Sequence, residues 1–130
     1  MSARPYPLDT NILSCLVRQP QGPISERIAR VGEDSFFTSI TVACELRCGA
    51  VKRGSAKLTR QVEAVLGAMD ILAFEADADR HYAVIRASLE RKGTPIGAND
   101  MLIAAHARAL GTICVTDNVA ERLCILTWAR

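Results

Sequence analysis

The sequence lacks a long apolar run, a paired set of cysteines and an excess of either charge, and each lack excludes a class of protein. Its longest hydrophobic stretches fall far short of the about 20 residues that a membrane-spanning helix needs. The opening Met1-Ser-Ala-Arg-Pro-Tyr-Pro7 has no apolar centre of the kind a secretory signal carries. A cytoplasmic protein with no membrane partner is therefore expected. A formal net charge of +2 gives no ground for nucleic-acid binding by bulk charge alone. The five cysteines, Cys15, Cys44, Cys48, Cys114 and Cys124, are odd in number and scattered, which argues against a disulfide framework. Cys44 and Cys48 share a helix face by spacing, but a zinc site needs about two more soft ligands. His81 and His106 are not spaced to supply them, so buried free thiols are expected. No Gly-x-Ser-x-Gly elbow, Walker loop or dinucleotide fingerprint is present.

What is present suits one globular domain over residues 1–130, with 49% hydrophobic residues for its core. Residues 4–8 read as a first strand, kept short or irregular by Pro5 and Pro7. Ile12, Leu13, Leu16 and Val17 then fall at helical spacing, and residues 19–23, with two prolines and a glycine, break the chain. Residues 24–31 read as a second helix and 35–39 as a second strand. Thr41 is the expected cap of a helix that carries Glu45 and runs to about Arg53. Residues 58–68 form the next helix, with Leu58, Val62, Val65, Leu66 and Met69 on one face. That face is more apolar than one small core requires, and it is expected to be an interaction surface. Residues 70–74 read as a third strand, and a long helix starts near Asp77 and reaches Arg91. A loop over 92–97 leads to an apolar helix over 99–110, stopped by Gly111. Residues 112–116 read as a buried strand and 124–128 as a last one. Strands alternating with helices indicate an α/β fold with a parallel sheet.

In such folds ligands bind beyond the carboxyl ends of the strands. Asp9 follows the first strand, Asp100 stands in the first turn of the apolar helix, and Asp117 and Asn118 follow the buried strand. Glu45, early in its own helix, can face the same crevice. Each has a plain alternative. Asp9 or Asp117 suits a cap or turn, Asp100 favours a helix N-terminus, and Thr10 and Asn11 are ordinary polar groups at a helix start. Taken together, clustered carboxylates repel one another and need a cation. Hard oxygen ligands select Mg²⁺ or Mn²⁺ over zinc. Such a site suits phosphodiester hydrolysis by metal-activated water, with the carboxylates within about 8 Å of one another around one or two ions. His106 lies six residues after Asp100, about 9 Å further along the helix, which suits a core residue better than a general base. Arg47, Lys52, Arg53, Lys57 and Arg60 form a basic stretch, open to reading as a nucleic-acid patch or as a solvated helix face.

Four ordered motifs resemble the PIN-domain toxins of bacterial toxin–antitoxin pairs, of the VapC and FitB type. They are Leu8-Asp-Thr-Asn-Ile12, Glu45-Leu-Arg-Cys-Gly49 with its basic flank, Gly97-Ala-Asn-Asp100 with the following Met-Leu-Ile-Ala-Ala-His106, and Val115-Thr-Asp-Asn118. The resemblance implies a PIN-like three-layer α/β/α sandwich with a mainly parallel central sheet. It implies an endoribonuclease dependent on Mg²⁺ or Mn²⁺, a homodimer, an RNA substrate and a cognate protein antitoxin. The acidic positions of the family map to Asp9, Glu45 and Asp100, and the fourth falls in Thr116-Asp-Asn118, with Asp117 and Asn118 both candidates. Thr10 and Asn11 match the family's polar support of the first Asp. Residues 119–123 stand where the family has a longer loop. This keeps an alternative open, a weakened PIN-like dimer that binds an antitoxin without cleaving RNA. A phosphotransfer enzyme is disfavoured, because the haloacid-type phosphatase pattern needs an Asp where this chain has Asn11.

Overall fold

A computed structural model describes residues 6–93 and 96–112. In chain order it holds β1 (Tyr6–Pro7), α1 (Thr10–Arg18), α2 (Pro23–Val31), a single 3₁₀ turn (Glu33–Ser35), β2 (Phe36–Ser39), α3 (Ile40–Arg53), α4 (Ala56–Gly67), β3 (Asp70–Leu72), α5 (Ala78–Lys92) and α6 (Ala98–Ala109). The three strands form a parallel sheet in the order β1-β2-β3. Tyr6 stands opposite Phe36, and Thr38 opposite Ile71. This is the α/β architecture expected for the fold, rich in helix around a parallel sheet.

Proline shapes the first strand. Pro7 has no N–H to give to the ladder, and β1 is only two residues long. The join to β2 is carried just beyond it, where the Leu8 N–H donates to the Phe37 carbonyl at 2.8 Å and the Thr38 hydroxyl donates to the Leu8 carbonyl at 2.9 Å. All four residues of β2 are buried, as a strand paired on both sides and covered on both faces requires.

Two hydrophobic cores form. One gathers Leu8, just after β1, with Leu13, Val17, Phe36, Val42, Leu46, Val62 and Leu66 from α1, β2, α3 and α4. The other gathers Ile85 and Leu89 of α5 with Met101, Ala104 and Ala105 of α6. Helix α6 is apolar around much of its circumference because it serves both, giving Ile103 and Ala107 to the first core.

Three expectations are corrected. Ser39, not Thr41, caps α3: its backbone is still extended and its hydroxyl accepts from the Val42 N–H at 3.2 Å. The strand thus passes directly into the helix, earlier than the sequence suggests. The α4 face is no free surface. Val62 and Leu66 are buried in the first core, with Leu58, Val65 and Met69 packed against it. Cys44 and Cys48 are exposed rather than buried, because Val42, Ala43, Leu46 and Ala50 occupy the inward face of α3. The expected strands over 112–116 and 124–128 lie outside the described residues, apart from Thr112.

Ser39→Ala is expected to destabilise the protein by about 1 kcal/mol, the usual effect of losing a capping side chain. The shift in urea midpoint at unchanged slope measures it. An unchanged midpoint would mean that water replaces the cap at no cost.

Candidate active site

Helices α1 and α3 both start where a strand ends, so their first turns open at the same end of the sheet. Asp9 is the N-cap of α1; its Oδ1 accepts from the Ile12 N–H at 3.0 Å. This bond and the positive end of the helix dipole make a carboxylate tolerable at a position only 8% exposed. Thr10, the first residue of α1, donates its hydroxyl to Oε1 of Glu45 on α3. Asn99, in the first turn of α6, donates its amide to Oε2 of the same carboxylate at 3.3 Å. Glu45 therefore ties its own helix to two others, through partners 35 and 54 residues away in sequence.

Asp9 precedes Thr10, and Asp100 follows Asn99. The backbone thus carries all three acidic positions to one end of the fold. Asp100 lies half-buried over the start of its own helix. A side chain at Gly97 would place its Cβ 3.2 Å from Asp100 Oδ2, so glycine leaves the carboxylate its room. Among the described residues no three His, Cys, Asp or Glu side chains are gathered around one point that could hold an ion. Asp9 caps α1, Glu45 is held by Thr10 and Asn99, and Asp100 lies close to Gly97. Thr116, Asp117 and Asn118 lie outside the described residues.

The supporting polar groups are arranged differently from expectation. Thr10 holds Glu45 rather than Asp9. Asn11 is exposed and forms no side-chain hydrogen bond among the described residues. Asn99 is a site residue that the sequence marks only weakly, by its place beside Asp100 at a helix start. Thr10→Val and Asn99→Ala are each expected to lower turnover about 10- to 100-fold, the range for groups that orient a ligand from behind it. Asn11→Ala is expected to cost less than either. Comparing kcat for the three variants tests this order, and an equal loss in all three would contradict it.

The basic stretch splits in two ways. Arg47 forms a bidentate pair with Glu63, at 2.9 and 3.0 Å. This bond raises the Arg47 pKa and lowers that of Glu63. Arg53 and Lys57 instead line a cavity of about 560 Å³ that Thr10 and Glu45 also line, whereas Lys52 and Arg60 do not reach it.

His106 is a core residue, as its spacing suggests. It is 4% exposed, meets the ring of Phe74 edge-on with centroids 5.7 Å apart, and its Nδ1 finds no hydrogen-bond partner among the described residues. Burial pushes its pKa below the ordinary 6.5, and the opposing pull of Glu75 is smaller. A folded-state pKa below the unfolded value means that the unfolded chain binds the proton more readily. Stability is thus full above about pH 6.5 and falls as the pH drops below it. Urea midpoints measured between neutral and mildly acidic pH are expected to decline on the acid side, and less steeply in His106→Phe. An equal decline in the two proteins would remove His106 as the cause.

Residues 6–121 match the family profile of the PIN domain. The tRNA(fMet)-specific endonuclease VapC of Shigella flexneri is 34% identical over 117 residues, spanning 89% of this chain and 88% of that protein. Ribonuclease VapC2 of Haemophilus influenzae strain Rd is 37% identical over 117 residues, with the same coverage of 89% and 88%. Among solved structures, a chain of VapBC2 from Rickettsia felis bound to a DNA fragment from their promoter superposes with a TM-score of 0.82. It is 30% identical and is covered to 89%, as is this chain.

Proposed function

The chain belongs to the PIN-domain family, and from that premise we propose that it is the endoribonuclease toxin of a toxin–antitoxin pair, dependent on Mg²⁺ or Mn²⁺. The observation that carries this reading is the hydrogen-bonded joint of Thr10, Glu45 and Asn99. It holds one carboxylate in place at the end of the fold where Asp9 and Asp100 also stand. The relatives are named as ribonucleases and a tRNA-specific endonuclease, which makes tRNA the first substrate to examine.

The donor set suits a hard cation. Asp9, Glu45 and Asp100 offer only carboxylate oxygens, the ligands that Mg²⁺ and Mn²⁺ prefer. These three would hold the ion, with Asp117 or Asn118 as the fourth candidate. When bound, it would supply Lewis-acid polarisation of the phosphoryl group and acidify water. The protein's own part is positional. Thr10 and Asn99 each hold one oxygen of Glu45 and so limit its rotation. The Ile12 N–H fixes Asp9, and Gly97 leaves Asp100 room at its helix start. No Ser, Cys or His stands among these residues to attack phosphorus itself.

The partner is a cognate antitoxin protein, in keeping with relatives solved as VapBC and FitAB assemblies. The proposed state is a homodimer. Its support is resemblance together with exposed apolar side chains such as Val51 and Val84, and not the α4 face. No helix among the described residues is long and apolar enough to cross a membrane. The test is incubation of the purified protein with initiator tRNA and with total RNA in Mg²⁺. Cleavage that disappears in Glu45→Gln is the expected result. Intact RNA with the wild-type protein at saturating metal would overturn the reading in favour of a binding module.

A further inference from the structure

We propose that the cavity beside Glu45 seats the backbone of a single RNA strand, with Arg18, Arg53 and Lys57 holding its phosphates. The inference rests on the ribonuclease reading above and assigns the surface by which the substrate is held. The cavity, about 560 Å³, lies between α1, α3 and α4, with Thr10 and Glu45 in its wall. Its charged lining is Arg18, Arg53, Lys57 and Glu45, three cations against one carboxylate, and the carboxylate is the one assigned to the chemistry. Ser14, Ser55 and Gln61 add neutral hydrogen-bonding groups to the same wall.

The three cations come from three different helices. Arg18 ends α1, Arg53 ends α3, and Lys57 stands in the first turn of α4. All three are exposed. Among the described residues none of them forms an ion pair; Arg18 donates a hydrogen bond to the Cys15 sulfur, at 3.3 Å. Arg47, on the same helix α3 as Arg53, is by contrast consumed by Glu63. Cations that are exposed and form no ion pair among the described residues, in a cavity that Glu45 also lines, fit a polyanion that must be led to that carboxylate.

Two other cavities among the described residues lack this combination. One between α1, α2 and α4 is lined by Leu16, Ile28, Phe36, Val65 and Met69 with no Lys or Arg. Another carries Glu33, Asp34 and Asp70 and would repel phosphate. The volume beside Glu45 is too small for a duplex. It suits an unpaired segment, the form in which RNA sequence is usually read.

The experiment measures binding of a uridine-rich single-stranded RNA oligonucleotide to the full chain in EDTA, across a range of salt. Arg53→Glu/Lys57→Glu is compared with Lys52→Glu/Arg60→Glu, which changes charge equally outside the cavity, and with the milder Arg53→Gln/Lys57→Gln. The cavity variants are expected to bind at least about tenfold more weakly, with the slope of log K against log salt shallower by about 0.7 for each phosphate no longer neutralised. In Mg²⁺, KM for RNA cleavage is expected to rise in Arg53→Gln/Lys57→Gln while kcat holds. Equal weakening by the Lys52/Arg60 control would overturn the proposal in favour of bulk charge. Unchanged RNA affinity in the cavity variants, with binding of a protein partner abolished, would assign the cavity to that partner instead. Cleavage by the wild-type protein with unchanged KM in the cavity variants would overturn this inference and leave the ribonuclease reading standing. A wild-type protein that neither binds nor cleaves RNA would remove both.

Discussion

Asp9→Asn is expected to leave the fold intact and to lower RNA cleavage by more than about 100-fold, beyond the 10- to 100-fold typical of groups that only orient a ligand. The substitution separates two roles of one side chain. Asp9 caps α1 through the Ile12 N–H at 3.0 Å, and asparagine caps a helix about as well as aspartate. Helix α1 keeps its start, so Thr10 keeps its approach to Glu45. What disappears is the negative charge of a nearly buried carboxylate. Asp9→Ala removes the cap as well and is expected to cost about 1 kcal/mol of stability in addition. Cleavage rates read beside urea midpoints distinguish the two variants. Full activity in Asp9→Asn would reduce Asp9 to a helix cap and would break the assignment of the site.

Removing divalent metal is expected to abolish cleavage, with Mg²⁺ or Mn²⁺ restoring it. Asp9, Glu45 and Asp100 are carried to one end of the fold, and uncompensated carboxylates repel both one another and an incoming phosphate. A cation that binds the folded state alone also stabilises it, by about 2.7 kcal/mol at a concentration 100 times its dissociation constant. The unfolding midpoint is therefore expected to rise with Mg²⁺, and to rise less in Asp9→Asn. The products are expected to carry a 5′-phosphate and a 3′-hydroxyl, because water rather than a side chain is the nucleophile. His106, the imidazole nearest in sequence to Asp100, is buried against Phe74 and is not poised to deprotonate a 2′-hydroxyl. Cleavage that persists in EDTA, or a 2′,3′-cyclic phosphate end, would show that the 2′-hydroxyl attacks and that the carboxylates have another task.

The local elements are legible in the sequence because each is marked by short-range chemistry. Asp9 before an apolar helical repeat, Gly54 at a left-handed helix end (φ 63°) and the prolines around Gly22 announce their boundaries without reference to anything distant. The apolar periods of α1 and α4 and the buried run of β2 identify what has to be inside. The acidic positions are legible too, as residues that stand beyond strand ends or in first helical turns. The exposure of Cys44 and Cys48 is not legible, because four-residue spacing says that two side chains share a face and not which face. For the same reason the α4 stripe reads as spare surface, although Leu58, Val65 and Met69 pack against the protein's own core.

By itself the sequence determined where most helices and strands begin, which side chains are apolar enough to need burial, and that the oxygen ligands on offer are hard. Those properties depend on residues within a few positions of one another. Only the tertiary structure decided that Thr10 and Asn99 hold Glu45 and not their chain neighbours Asp9 and Asp100. It alone placed Arg18, 27 residues before Glu45 in sequence, in the same cavity wall as Arg53 and Lys57. Hydrogen bonds and charge clusters of this kind join residues that hydrophobic packing brings together from distant parts of the chain, and packing geometry leaves no mark in local spacing.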